Sequence, residues 1–368
     1  MEIIGKGFYI WQIDQCENGQ IDAIANVAYQ SGLSYVMIKI ANGMLAYNYD
    51  DVKKADLAGP LVAALHTKGI KAWGWHYVYG YNPEGEAKIA INRIQETGVD
   101  GFIINAEGPY KESGSGAALR YMKALRASIN NIPLALSSYR YPSLHPQLPW
   151  VEFLDRVDYN MPQVYWVDSH NPGAQLERCV KEFKALNPYR PIIPSGAAYK
   201  WSGWTPTQQD EIEFMNMALT LNIPSVNFWD WQHCRRDLPQ HWEVIKSFPW
   251  PTGPLPAPAD ITERYIAALN THDVNKVIAL YDAASVHVTS ERTIQGTNSL
   301  KAWYTDLFQN RLPNAVFTLT GALISGNSRH FNWTATSTKG KVTNGNDTIG
   351  LISDKIGYHY SFYTITTA

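Results

Sequence analysis

The chain has 368 residues, 45% of them hydrophobic and 17% charged, with a formal net charge of −2. It has apolar mass for a sizeable core and more length than one typical domain needs, so two domains are expected. The near-balanced charge excludes the basic footprint of a nucleic-acid binder, and three scattered cysteines (Cys16, Cys179 and Cys234) exclude a disulfide framework or a cysteine metal site.

The start, Met1 to Gly7, does not read as a signal peptide, and no run has membrane-spanning length. The expectation is therefore no membrane partner and, by default, a cytoplasmic location. The first strand is expected over 8–13, ending at Asp14, followed by a helix over 20–31 and a second strand over 35–40. A helix near 52–68 leads to a third strand over 72–77, and a helix near 84–97 leads to a fourth. That fourth strand carries Gly101-Phe102-Ile103-Ile104, an apolar run typical of a strand buried on both faces, and then Asn105-Ala106-Glu107-Gly108. A helix over 115–129, a fifth strand over 134–139 and a sixth over 157–165 follow. A helix near 173–185, a seventh strand over 192–195, a helix over 207–220 and an eighth strand over 225–230 complete the series. Eight strands alternating with helices predict an α/β (β/α)8 TIM barrel over 1–248. Five prolines within 249–259 cannot enter a helix or central strand, so that segment reads as a stiff linker.

Parallel barrels keep their chemistry at the strand C-terminal ends. The polar residues expected there are Asp14, Lys39, His76, Asn105, Glu107, Ser137, Tyr139, Gln163, Tyr165, Ser195, Asp230 and Gln232, with Trp11, Trp75, Trp166, Trp229 and Trp231 among them. Asn105 and Glu107, two apart on a strand, should face the same side. Convergence of these groups at one rim predicts a functional cleft, and its aromatic content suits carbohydrate. Glu107, Asn105 and Asp230 are the catalytic candidates; Asp14, Trp11, His76, Tyr139, Gln163, Tyr165, Trp229 and Gln232 are the substrate-binding candidates. No Walker pattern, dinucleotide fingerprint or metal-ligand spacing is present, so no cofactor or metal is expected.

The ordered set Met37-Ile38-Lys39, Trp75-His76-Tyr77, Asn105-Ala106-Glu107, Ser137-Ser138-Tyr139 and Trp231-Gln232 resembles the lysozyme-type family 25 glycoside hydrolases across most of residues 7–235. Met161-Pro162-Gln163-Val164-Tyr165-Trp166 is also similar to the sugar-lining sixth strand of chitinase-like barrels. The resemblance implies a glycosidase barrel with a glycan partner and Glu107 as general acid. Asn105 departs from it, because the family pattern has Asp there. Three readings follow. An N-acetyl group of the substrate could be the nucleophile, as in endo-N-acetylglucosaminidases with an Asn-x-Glu pair; the barrel could bind glycan without cleaving it; or an Asp could have been replaced.

Residues 260–368 change character: helices over 261–270 and up to Tyr281, a strand over 286–288, a helix around Trp303, then long alternating strands over 315–324, 328–337, 345–353 and 355–365. This order predicts a small α+β domain. The Asn270-Thr271-His272-Asp273 turn, Ile294-Gln295-Gly296, Trp333-Thr334-Ala335 and Lys355 to Tyr360 resemble the SnoaL-like branch of the nuclear-transport-factor-2-like fold. The resemblance implies a cone that serves as an enzyme, a small-ligand pocket or a dimerisation module, with binding or dimerisation expected here over catalysis. His287, His359 and Asp347 are the polar groups suited to a pocket, though Asp347 is equally placed for an exposed Asn-Gly-Asn-Asp turn. Val316, Phe317, Leu319, Phe331, Trp333, Tyr358, Tyr360 and Phe362 exceed what one cone needs inside, which predicts a homodimer through the sheet.

Overall fold

The computed structural model describes residues 3–50, 55–251 and 259–367. The expected linker lies mostly outside the described residues. The chain divides into two compact units, Met1–Leu255 and Pro256–Ala368.

The first unit is a closed barrel of eight parallel strands: β1 Gly5–Ile10, β2 Tyr35–Asn42, β3 Lys71–Val78, β4 Gly101–Ala106, β5 Leu134–Tyr139, β6 Tyr159–Gln163, β7 Ser195–Ala197 and β8 Ser225–Trp229. β1 pairs with both β2 and β8, which closes the ring. Helices α1 Ile21–Gln30, α2 Ala58–Thr67, α3 Pro83–Thr97, α4 Gly108–Ser128, α5 Trp150–Leu154, α6 Pro172–Lys184, α7 Gln208–Thr220, α8 Trp231–Asp237 and α9 Pro239–Ser247 belong to the same unit. The arrangement is that of a TIM-like barrel.

Strand alternation sorts the side chains into two cores. Tyr9, Tyr35, Met37, Trp73, Trp75, Ile103, Ala135, Met161 and Ile193 fill the lumen. Phe8, Ile10, Ile38, Ala72, Phe102, Ile104 and Leu136 face the helices. The lumen admits large rings because glycines stand beside them. A Cβ on Gly7 would lie 2.3 Å from the Tyr35 ring, and one on Gly101 would lie 2.5 Å from the Trp73 indole. At the end of α9, the Lys6 ammonium donates to the carbonyls of Ile245, Lys246 and Phe248 at 2.6, 2.9 and 2.9 Å.

Several bounds differ from the sequence expectation. β1 ends at Ile10, and Ile13–Gln15 turns as a short 3-10 helix instead of continuing the strand. α4 begins at Gly108 and is interrupted at Gly114, which takes φ 69°; the Gly-Ser-Gly segment breaks a helix rather than preceding one. The helix expected near 52–68 is α2; residues 51–54 lie outside the described ones, between the paired short strands Tyr49–Asp50 and Ala55–Asp56.

The second unit comprises α10 Ile261–Asn270, α11 Val274–Ile278, β9 Tyr281–Thr289, β10 Thr293–Gln295, α12 Gly296–Asp306, β11 Val316–Ser325, β12 Ser328–Ser337, β13 Gly340–Ile352 and β14 Lys355–Phe362. Its sheet runs β10-β9-β14-β13-β12-β11 and is mixed, because β9 and β14 are parallel. Asp260 and Glu263 form a capping box that starts α10. Ile261, Tyr265 and Leu269, one face of α10, pack with Trp303, Tyr304, Phe317, Phe331 and Trp333. Tyr281 opens a strand instead of closing a helix, because α11 stops at Ile278. Asp347 is not in an exposed turn: β13 runs from Gly340, so Asp347 lies mid-strand and points inward, 1% exposed. Gly345, two residues earlier on the same face, leaves room for the Trp333 indole, whose ring would be 2.4 Å from a Cβ there. Among the described residues, no helix is long and apolar enough to cross a membrane.

Candidate active site at the barrel mouth

β4 alternates Ile103 and Asn105 toward the lumen, and Glu107, just beyond its end, stays on that side. Gln163, at the end of β6, donates from Nε2 to Glu107 Oε1 at 2.8 Å and to Asn105 Oδ1 at 3.2 Å, with Ser137 Oγ 3.5 Å away on β5. These groups line a cavity of about 880 Å³. Its walls are aromatic: Trp11, Tyr77, Tyr139, Tyr165, Tyr199 and Trp229. His145 stacks on Tyr139 with ring centroids 3.7 Å apart, and Lys111 Nζ lies 2.9 Å from His145 Nδ1.

The cavity brings together Trp11, Asn105, Glu107, Tyr139, Gln163, Tyr165 and Trp229 of the sequence candidates. It does not include Asp14, His76, Asp230 or Gln232. Asp14 is exposed on the turn after β1, because the strand ends four residues earlier than it would need to. His76 has the opposite parity to Trp75 and faces outward, fully buried between the Gly43 carbonyl at 3.0 Å and the Tyr121 hydroxyl at 3.3 Å. Burial lowers its pKa to about 3, so the ring is neutral. Gln232 accepts from the Gln12 backbone N–H at 2.9 Å and ties down the loop after β1. Asp230 caps α8: its Oδ1 accepts from the His233 N–H at 3.0 Å and lies 2.7 Å from His233 Nδ1. Asp230 is fully buried behind His233, and His233 is the member of that pair that lines the cavity. The bond to Asp230 raises the imidazole above its ordinary range.

Other lining groups were absent from the sequence candidates. Tyr9 and Tyr77 share the parity of the lumen residues, a signal present in the strand pattern. Tyr199, Lys200, Trp201 and His145 come from loops, where no periodicity marks them. Lys39 in β2, one of the polar residues expected at the rim, is 6% exposed and lines the same cavity. Burial lowers its pKa to about 8, with Glu107 pulling the other way. Among the described residues that line the cavity, Glu107 is the one carboxylate, whereas Lys39, Arg140 and Lys200 are cationic. No group of three His, Cys, Asp or Glu is placed to hold a metal among the described residues.

The second unit has its own polar cluster. Trp333 Nε1 donates to Asp347 Oδ1 at 2.9 Å, His359 Nε2 lies 2.8 Å from Asp347 Oδ2, and the Tyr281 hydroxyl lies 2.5 Å from His359 Nδ1. The His287 ring stacks on His359 at 4.1 Å. All three sequence-nominated groups are thus buried within the core, and burial pushes the Asp347 carboxyl up to about 7.

Residues 262–355 match the family model of the SnoaL-like domain. The C-terminal unit contains a SnoaL-like domain. Solved structures similar to part of this chain include a protein with a ketosteroid isomerase-like fold from Catenulispora acidiphila, in complex with trimethylamine. It has 15% identity and a TM-score of 0.27 over 30% of this chain and 88% of the other. An NTF2-like protein of unknown function from Cytophaga hutchinsonii has 10% identity and a TM-score of 0.25 over 28% of this chain and 87% of the other. An NTF-2 like protein of unknown function from Burkholderia xenovorans has 11% identity and a TM-score of 0.26 over 29% of this chain and 83% of the other. No curated protein matches the chain.

Proposed function

We propose that the barrel is a glycoside hydrolase that acts on N-acetylated glycans by substrate assistance, with Glu107 as general acid. The observation that carries this reading is the single carboxylate among the cavity-lining residues, with an amide, Asn105, on the same side. Hydrolysis by two protein carboxyl groups needs a second one facing the first across the sugar. An acetamido group on the substrate supplies the missing nucleophile. Its carbonyl oxygen attacks the anomeric carbon while Glu107 gives its proton to the departing glycosidic oxygen. The intermediate is an oxazolinium ion that keeps its N–H, hydrogen-bonded to Asn105 Oδ1; water then opens it at the anomeric carbon, re-forming the acetamide and giving one proton to Glu107. Asn105 Oδ1 already accepts one bond from Gln163 and has a second lone pair for the acetamide N–H. The tyrosine and tryptophan walls suit the apolar faces of sugar rings.

One observation favours glycan binding without cleavage: Gln163 bridges Asn105 and Glu107, so the acid already has a donor on one oxygen. Hydrolysis of chito-oligosaccharides by the intact chain and by Asn105→Asp separates the readings. Under substrate assistance the wild type is active and the substitution leaves the rate similar or lower. A strong rise in Asn105→Asp identifies the asparagine as a replaced carboxylate. Binding with no turnover in either protein assigns a binding function.

We also propose that the SnoaL-like domain forms a homodimer through the outer face of its sheet. Cross-strand register places Val288, Tyr360, Thr348, His330 and Leu323 in one row across that face. Tyr360 is 38% exposed and Leu323 73%, and Tyr358 and Phe362 flank Tyr360 at 45% and 44%. Phe317, Phe331 and Trp333 are buried in the core, so the outer set is surplus to it. Light scattering on the full chain at micromolar concentration should give twice the monomer mass, and Tyr360→Lys should halve it. A monomeric wild type removes the proposal.

A further inference from the structure

The Lys39 side chain is an ammonium with donors and no acceptor. Its Nζ lies 4.4 Å from the Tyr47 ring centroid, 4.7 Å from that of Trp75 and 5.9 Å from that of Trp11. No hydrogen bond or ion pair reaches Nζ among the described residues, and Glu107 stands beyond ion-pair distance. A lysine that is 6% exposed normally finds carboxylate or carbonyl partners, because an unpaired buried charge is costly. Lys6, in the same barrel, shows the paired case, with three carbonyl acceptors. Around Lys39 the aromatic faces offset part of that cost through their negative quadrupoles. They leave its three N–H donors unused.

Glu107 is the one charge that acts on Lys39 from close by, and it opposes the effect of burial on the ammonium. Arg140 and Lys200 also line the cavity, against the single carboxylate of Glu107. A low-dielectric cavity with surplus positive charge focuses its field on an incoming anion. The aromatic cage bars water from much of the ammonium surface, so an anion seated there would gain a charge-assisted hydrogen bond with little competition.

We propose that Lys39 is the anion-reading residue of this cleft, and that the glycan it selects carries a carboxylate or sulfate ester. This rests on the glycan reading of the barrel and narrows its substrate class to acidic N-acetylated sugars. Lys39 is then a specificity residue that touches substrate, separate from the proton transfer assigned to Glu107.

Calorimetry on the intact chain tests this with three probes: chitotetraose, a tetrasaccharide of alternating N-acetylglucosamine and glucuronate, and chitotetraose sulfated at O6. At low salt one of the two acidic probes should bind about ten- to a hundredfold tighter than chitotetraose, the gain of one charge-assisted hydrogen bond. Which one does so identifies carboxylate or sulfate as the group read. In Lys39→Met that preference should vanish, with the acidic probe binding no tighter than chitotetraose does to the same variant; Lys39→Gln provides a second, polar replacement. Equal affinity of the wild type for all three probes overturns the inference and leaves the glycan reading intact. A preference that survives both substitutions overturns the role of Lys39. Failure of every probe to bind the wild type overturns both.

Discussion

Glu107→Gln is expected to lower hydrolysis of N-acetylated oligosaccharides ~10²–10⁴-fold, the usual cost of losing general-acid assistance. The substitution preserves shape, and its amide oxygen can still accept the bond that Gln163 donates to Glu107 Oε1. Folding and sugar affinity should therefore be retained, which calorimetry and circular dichroism can verify on the same preparation. What disappears is the transferable proton. The loss should appear in kcat with little change in KM, because sugar contacts come mainly from the aromatic walls. Near-normal turnover would move the acid elsewhere. Asp14 is exposed on the turn outside the cavity and Asp230 is sealed behind His233, so the groups to substitute next are the two imidazoles that line the cavity, His233 and His145.

Lys6→Met should destabilise the barrel by about 3 kcal/mol. The last carbonyls of a helix have no intrahelical donor and concentrate its negative end. Lys6 meets this need at the end of α9, with three bonds at 2.6–2.9 Å while only 4% exposed. Hydrogen bonds to a charged group contribute roughly 1.5–3 kcal/mol each, but bonds that share one donor group do not add in full. Methionine keeps most of the aliphatic stem and leaves the carbonyls of Ile245, Lys246 and Phe248 without their donor. The Phe8–Trp242 ring contact, with centroids 4.5 Å apart, would still hold α9 against β1, so local loosening rather than loss of the fold is expected. Urea unfolding of the full chain, followed by tryptophan fluorescence, measures the change. A loss below about 1 kcal/mol would show that water replaces the ammonium without penalty.

The two lysines mark the boundary between sequence and tertiary information. Lys39 falls within the second strand expected from periodicity, 35–40, whereas Lys6 precedes the first expected strand, 8–13, and is found inside β1. Lys6 faces a helix end more than two hundred residues away, and Lys39 faces three aromatic rings. Nothing local to either residue distinguishes these fates, because the partners arrive only when the ring closes.

The strand count, the alternation with helices and the change of character near residue 260 were legible because each depends on local periodicity and turn chemistry. The shared side of Asn105 and Glu107 was legible for the same reason: residues two apart on a strand face one way. Parity also held the information that His76 turns outward, since it alternates with the lumen-facing Trp75. Tertiary structure decided the rest. Where β1 stops sets Asp14 outside the cavity, and the cap of α8 draws Asp230 behind His233. The alternation of β13 across a polar run carries Asp347 into the core of the SnoaL-like domain, beside Trp333 and His359. Each of these outcomes depends on hydrogen-bond partners and packing contributed by distant segments, and a one-dimensional pattern does not encode which distant group will be adjacent.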